Sequence, residues 1–340
     1  MTAKHFVVRD VAGQCHGSTV CPVGDTFVVA WFVGEHEGAP DSRIQLTVGA
    51  EDHWSTPVVV SGDLGPCWNP VLHLRTDGEL VCWFKVGTTI SAWVTYQVVS
   101  GDGGRTWSPP RPVGEADRGG RGPVRTPPLR LPSGRLLAGA STETWGERPR
   151  WDCFVDVSDD DGRTWRRTPD IALDHDTFPG AGAIQPALWR NPTGEVRLLA
   201  RSTAGRLVAA TSADDGETWS PGALHTVPNN NSGVAVARLG DTVHLAHNPT
   251  VGDWASRAPL VVSASTDGGE TFHPWTTLEE SLDSTAGEGY RPADSGVTTT
   301  GVNEFSYPCL VPVGDRLAVS YTWQRRGIVL ALLDPSERTP

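Results

Sequence analysis

Methionine is almost missing, one residue in 340, and so are long runs of Ala, Glu, Lys and Leu at helical spacing. A chain without such runs is read as many short strands joined by turns. No run of about 18 apolar residues suggests a membrane span, and the opening "MTAKHFVVRD" lacks an apolar signal segment. Positive charge is scarce, 28 Lys and Arg against 40 Asp and Glu, net −12. An acidic surface repels phosphate backbones, which argues against nucleic acid as a partner but permits a locally basic pocket. The six cysteines, at 15, 21, 67, 82, 153 and 309, show no CxxC or Cys/His spacing of a zinc site. They read as reduced thiols of a soluble cytoplasmic protein, and nothing calls for a metal or other cofactor.

What is plentiful is Gly, Pro and Trp, at 38, 27 and 14 residues. The length fits two ordinary domains or one large all-β domain, and internal repeats decide between them. "SGDGGRTW" from Ser100 recurs as "SDDDGRTW" from Ser158, "SADDGETW" from Ser212 and "STDGGETF" from Ser265. The shared Asp falls at 102, 160, 214 and 267, at intervals of 58, 54 and 53 residues. Ser and Asp side chains accept hydrogen bonds from nearby backbone N–H groups and tie a tight turn. Gly supplies the positive φ, and the aromatic starts the next strand. A calcium loop counted from Asp156 would put Asp161 and Arg167 where Gly and Glu are required. The repeat is therefore a structural turn.

A second repeat interleaves with it. Apolar strand, Gly turn and apolar strand follow one another in six hairpins, beginning at Ser18, Asn69, Thr126, Gln185, Ser232 and Tyr307. Four lead into an Asp turn, and "AEDHWSTP" after the first is a worn copy. Six units of about four strands describe an all-β, six-bladed propeller occupying residues 1–340 as one domain. "RGIVLALLD" supplies only a third strand for the last blade, and "KHFVVRDV" at the N-terminus is expected to close it.

In a propeller the inner strands all start at one end of the channel, so the polar residues there converge. His16, Asn69, Arg125, Gln185, Asn231 and Tyr307 open the hairpins, and Glu37, Asp41, Lys85, Glu143, Arg201, Asn248 and Arg257 return to the same end. Arginine forks match carboxylate or sulfate, so Arg125, Arg201 and Arg257 predict a small anionic molecule or acidic glycan as ligand.

Repeated Asp turns on six blades resemble the sialidase superfamily, and "EGAPD", "CWNPV", "GAIQPAL", "PNNNSG" and "SYP" resemble its bacterial BNR-repeat branch over nearly the whole chain. The resemblance implies a glycosidase that holds a substrate carboxylate with three arginines. Arg201 and Arg257 look like two of them; the place of the first, in "CHGS", is held by His16. Asp41 fits the acid/base, and Tyr307 fits the nucleophile, a neutral attacker suited to an anomeric centre beside a carboxylate. The Glu that assists the Tyr is matched by Gln185, which takes no proton, and Pro127 stands where the branch usually carries a cation. Glu37, Asn69, Glu143, Arg125, Gln185 and Asn231 are the remaining expected substrate contacts. His16 is a general acid or base by its ordinary titration range. The competing structural roles are a hydrogen-bonded His at a blade end, a turn cap for Asp41 after Pro40, and a channel-lining aromatic for Tyr307.

Three functions stay open: hydrolysis of a glycosidic bond to an acidic sugar, a lyase, isomerase or cyclase using the same funnel, and ligand binding without turnover. The long polar stretch 279–305, "EESLDSTAGEGYRPADSGVTTTGVNEF", is a candidate lid that would carry Tyr290, Arg291 or Glu304 to the funnel.

Overall fold

The strand Leu80–Val86 is buried along its whole length, and Leu136–Thr144 and Arg316–Trp323 are buried over most of theirs. A strand covered on both faces reads as an unbroken apolar run rather than an alternating one. These are the second strands of three blades, pressed between neighbouring blades. In a computed structural model the protein is described over residues 3–114, 120–282 and 289–336. It forms six antiparallel sheets set around a central channel as a six-bladed β-propeller.

Five sheets have four strands, and the first adds the short strand Val58–Val59 beside Arg43–Ala50. The inner strands of blades one to six are Gln14–Val23, Cys67–Leu74, Leu129–Arg130, Ala183–Arg190, Ala235–Leu239 and Phe305–Val313. In blade six the outer strand is Ala3–Val8, which pairs antiparallel with Gly327–Leu333 from Ala3↔Leu332 to Val8↔Ile328. The N-terminal strand thus completes the sheet of the last blade and forms its outer edge.

The Asp turns lie at the lower end, after the third strands. Asp102 shows their chemistry: Oδ1 accepts from the Thr106 N–H at 2.9 Å and Oδ2 from the Thr106 hydroxyl at 2.6 Å. Ser100 Oγ accepts from the Gly104 N–H at 2.9 Å, and Gly104 has φ 89°. The same bonds recur at Asp160, Asp214 and Asp267. Each carboxylate is spent on its own turn; hydrogen bonds from Thr218 pull the Asp214 carboxyl down to about 2. Trp107 and Trp219 donate back to the turn glycine's carbonyl and pack inward on the blade cores.

Candidate functional site

Four inner strands break register at equivalent points, between His16 and Thr19, Trp68 and Val71, Ile184 and Ala187, and Ser306 and Cys309. The bulged residues all have left-handed backbone: Gly17 at φ 64°, Asn69 at 43°, Gln185 at 58° and Tyr307 at 51°. In three of them the next residue is proline (Pro70, Pro186, Pro308), which has no N–H for the ladder. A bulge re-aims a side chain, and here it points Asn69, Gln185 and Tyr307 into one chamber at the upper end of the channel. Left-handed backbone at a non-glycine residue costs about 1–3 kcal/mol and collects at functional sites.

The chamber is also lined by Glu37, Glu143 and Arg201, with Trp93, Trp145, Trp151 and Trp254 as aromatic walls. Its free volume is about 20 Å³, space for one water-sized molecule. On the far side of Trp145, Trp151 and Trp254 lies a second cavity of about 380 Å³, with Thr203 and Asp253 in its wall.

The roof is part of the long stretch between blades five and six; residues 283–288 of it lie outside the described residues. The hairpin Arg291–Ala293 and Gly296–Thr298 crosses the channel mouth. At its tip the Asp294 carbonyl accepts from the Ile90 N–H at 2.7 Å, and its carboxylate accepts from the Ser91 N–H at 2.8 Å and the Ser91 hydroxyl at 2.5 Å. Val297 bridges to Glu37 and lines the chamber. Gly296 makes this approach possible, since a Cβ there would sit 2.1 Å from the Glu37 carbonyl oxygen. Tyr290 lies inside, with Arg257 Cζ 4.6 Å from its ring centroid, while Arg291 is exposed. Burial and the Glu304 carboxylate push the Tyr290 phenol up.

Beneath the roof runs a buried chain of charge. Arg257 Nη1 donates to Glu304 Oε1 at 2.8 Å, Arg325 Nε to Glu304 Oε2 at 2.8 Å, and Arg325 Nη1 to Glu37 Oε2 at 2.6 Å. Burial opposes ionisation of Glu304, but Arg325 and Arg257 outweigh it and hold the carboxyl down at about 2. Arg257 Nε and Arg325 Nη2 are buried without a hydrogen-bond partner among the described residues. Arg201 donates Nε to Asn231 Oδ1 at 2.9 Å, Nη2 to the Asn231 carbonyl, and Nη1 to the Tyr307 hydroxyl oxygen and Gln185 Oε1. Four of its five N–H groups are thus engaged, so it has one left for a ligand. Glu143 differs from the other carboxylates. Burial pushes it up to about 7, reinforced by Asp294 and Glu37 and opposed by Arg201.

Several expected site residues stand elsewhere. Asp41 is exposed, and both its carboxylate oxygens accept from the Glu35 N–H at 3.1 Å. It caps the turn after Pro40, and Glu37 takes the place in the chamber. His16 is fully buried, with Nδ1 2.9 Å from Thr322 Oγ1 and its ring 4.1 Å from the Tyr307 ring. Burial, then Arg325, Arg257, Arg125 and Arg201, push it well below its ordinary range, so it is neutral and does not titrate near pH 7. Arg125 spends its fork on the carbonyls of Ser18, Tyr307 and Pro308, tying blades one and six together beneath the Tyr307 ring. Asn231 holds Arg201 and donates Nδ2 to Asp253 Oδ1 at 2.7 Å, which makes it a positioning residue. Arg257 is paired to Glu304 behind the chamber rather than open in it.

Sequence reasoning missed Arg325 and the four tryptophans. Arg325 sits in the turn "TWQRRG" with φ 52°, outside any repeated motif. Trp93, Trp145 and Trp254 come from loops on blades two, three and five, and Trp151 from the start of the blade-three strand Arg150–Ser158. The recurrent Asn-Pro, Gln-Pro and Tyr-Pro pairs at the hairpin starts were the available signal for the bulges.

A family model described as a BNR repeat-like domain matches residues 25–319. No curated protein matches the sequence significantly. Among solved structures, a Dyadobacter fermentans protein of unknown function is similar at 16% identity, with 98% of each chain covered and a TM-score of 0.73. The NanB sialidase of Streptococcus pneumoniae is similar at 13% identity over 98% of this chain and 71% of its own, with a TM-score of 0.68. The Trypanosoma rangeli sialidase follows at 14% identity over 95% and 55%, with a TM-score of 0.64. The bulged upper ends and Asp-turned lower ends thus belong to a sialidase-like propeller, and the chain is a member of the BNR repeat-like domain family.

Proposed function

We propose that this protein is a glycosidase-type hydrolase that cleaves a small anionic sugar from its partner group at the upper chamber. The observation that carries the reading is Glu143, a buried carboxyl at about 7 in the same small chamber as the Tyr307 phenol. A general acid works best when its pKa lies near the working pH. Tyr307 attacks the anomeric carbon as its phenol proton passes to the Glu37 carboxylate lining the same chamber, the bond to the leaving oxygen breaks, and the Glu143 proton passes to that oxygen. Arg201, donating to the Tyr307 hydroxyl oxygen, stabilises the negative charge that develops there. Water then attacks the anomeric carbon and gives a proton to Glu143, the bond to Tyr307 breaks, and the Tyr307 oxygen takes its proton back from Glu37. Trp145, Trp151 and Trp254 offer flat faces to sugar rings on both sides of the wall between the two cavities.

The anionic character rests on charge. Among the described residues, the buried arginines Arg125, Arg201, Arg257 and Arg325 are met in ion pairs by Glu37 and Glu304, while Glu143 beside Arg201 holds its proton below about pH 7. Uncompensated buried charge is costly, and a ligand carboxylate offsets it. The roof must swing aside for any ligand to enter 20 Å³.

The test is turnover of fluorogenic glycosides of acidic and neutral sugars by the wild type, Tyr307→Phe and Glu143→Gln. Release that falls as pH rises through about 7 is expected, absent in Tyr307→Phe. In Glu143→Gln it should be retained only on substrates with good leaving groups. Release unaffected by both substitutions would sink the proposal. A proton-transfer enzyme would use ionised Glu143 as base, and the same value near 7 suits that role. It would give an unsaturated product and take up no oxygen from heavy-oxygen water.

A further inference from the structure

At the lower end of the channel, the inner strands of blades three to six leave a basin of about 680 Å³. Small-molecule sites are typically about 300–1,000 Å³ and mostly apolar, with a few placed polar groups. The floor and walls here are Leu129, Leu131, Leu188, Val236, Leu310 and Pro312, among other apolar residues. The charged lining residues are Arg130, Arg190 and Arg238, and no Asp or Glu lines the basin.

These arginines are not equally committed. Arg130 pairs with Asp161 at 2.5 Å. Arg238 donates Nε to the Gly240 carbonyl at 2.7 Å and Nη1 to the Arg190 carbonyl at 3.0 Å; its nearest carboxylate, Asp241, is 3.8 Å away and almost fully exposed. Arg190 has no carboxylate partner among the described residues, and its Nε is buried without a hydrogen bond. On a chain of net charge −12, an apolar basin bordered by arginine alone is built for a ligand with one anionic end. A buried donor left unpaired is unfavourable, and an oxyanion would satisfy it.

We propose that this basin is a second binding site, for a small amphipathic monoanion. Its carboxylate or sulfonate head pairs with Arg190 and Arg238, and its aromatic or aliphatic body packs on Leu188, Val236 and Leu310. The site lies at the opposite end of the channel from the chamber and does not depend on the function proposed there.

The experiment is a fluorescence titration with anilinonaphthalene sulfonate, beside its uncharged parent phenylnaphthylamine. Both are tested on the wild type, on the double variant Arg190→Gln, Arg238→Gln, and on Val236→Asp. The wild type should bind the sulfonate saturably, one per chain, and at least about tenfold more tightly than the neutral probe. The double variant should lose at least about tenfold in sulfonate affinity while binding the neutral probe as before. Val236→Asp keeps every arginine but puts a negative charge in the basin, and should lose sulfonate binding as well. Thermal melting of each variant shows that it is folded; if the double variant is not, Val236→Asp carries the test alone. Equal sulfonate affinity in a folded variant and the wild type overturns the proposal. So does a neutral probe bound as tightly as the sulfonate, or a basin that opens only when self-associated chains are diluted apart.

Discussion

At the upper end of the channel, bulged inner strands deliver Asn69, Gln185 and Tyr307 into about 20 Å³ beneath a hairpin anchored on Ser91. At the lower end, four inner strands leave about 680 Å³ lined by leucine, proline and valine. The connections explain the difference. Blades are joined to one another across the top, where segments such as the hairpin Arg291–Ala293 and Gly296–Thr298 reach over the axis. At the bottom, inner and second strands meet in tight turns such as those between Val23 and Thr26 or Leu239 and Thr242, which are too short to cover it. Polar chemistry and a roof therefore collect at one end, and an open apolar basin remains at the other.

The comparison can be broken most directly at Tyr307. On the proposed mechanism Tyr307→Phe should lower turnover by about 10³-fold or more while the protein stays folded, because the attacking oxygen is lost. Retained turnover would remove Tyr307 from the role of nucleophile.

Glu304→Gln should cost about 3–5 kcal/mol in stability, since it strands Arg257 and Arg325 with one fewer counter-charge at a fully buried site. Urea unfolding measures it. A cost like that of an exposed pair would mean that the charge chain is hydrated and the upper end is not sealed.

Glu143→Gln gives the pH signature. Its carboxyl rises from 4.5 in the unfolded chain to about 7 in the fold, so the folded state holds the proton more tightly. That favourable difference is complete below pH 4.5 and is lost as pH rises through 7, on the order of 3 kcal/mol in all. The glutamine variant does not ionise. It should therefore gain stability relative to the wild type between pH 5 and pH 8, and parallel melting curves at the two pH values would refute the assignment.

Asp294→Ala removes two hydrogen bonds at the tip of the roof. Amide exchange at Gly296–Thr298 should speed by roughly tenfold, while the strands around the lower basin keep their protection. The smallest effect is expected at Asp41. Asp41→Asn should change turnover by less than about twofold, because the side chain caps an exposed turn.

The Asp turns, the six hairpins and the propeller they imply were legible because each is a local pattern. Ser, Asp, Gly and Trp within eight residues fix one turn, and the 53- to 58-residue spacing repeats it. Tyr307, Gln185 and Asn69 were legible as convergent for the same reason, since they open equivalent strands. Asp41 misled because family position and local turn chemistry pointed different ways, and the neighbouring Glu35 N–H decided it. His16 misled because its titration depends on four arginines distant in sequence.

The sequence by itself determined the number of blades, the turns between their outer strands and the strands whose starts converge, because these depend on short-range hydrogen bonding and periodic burial. Only the tertiary structure decided which charges are spent on one another. Arg325 meets Glu37 across 288 positions of chain and Arg125 reaches the Pro308 carbonyl across 183. Such pairings follow from closure of the ring, which brings blade six against blade one, and from burial that leaves each charge no partner but another side chain or a carbonyl.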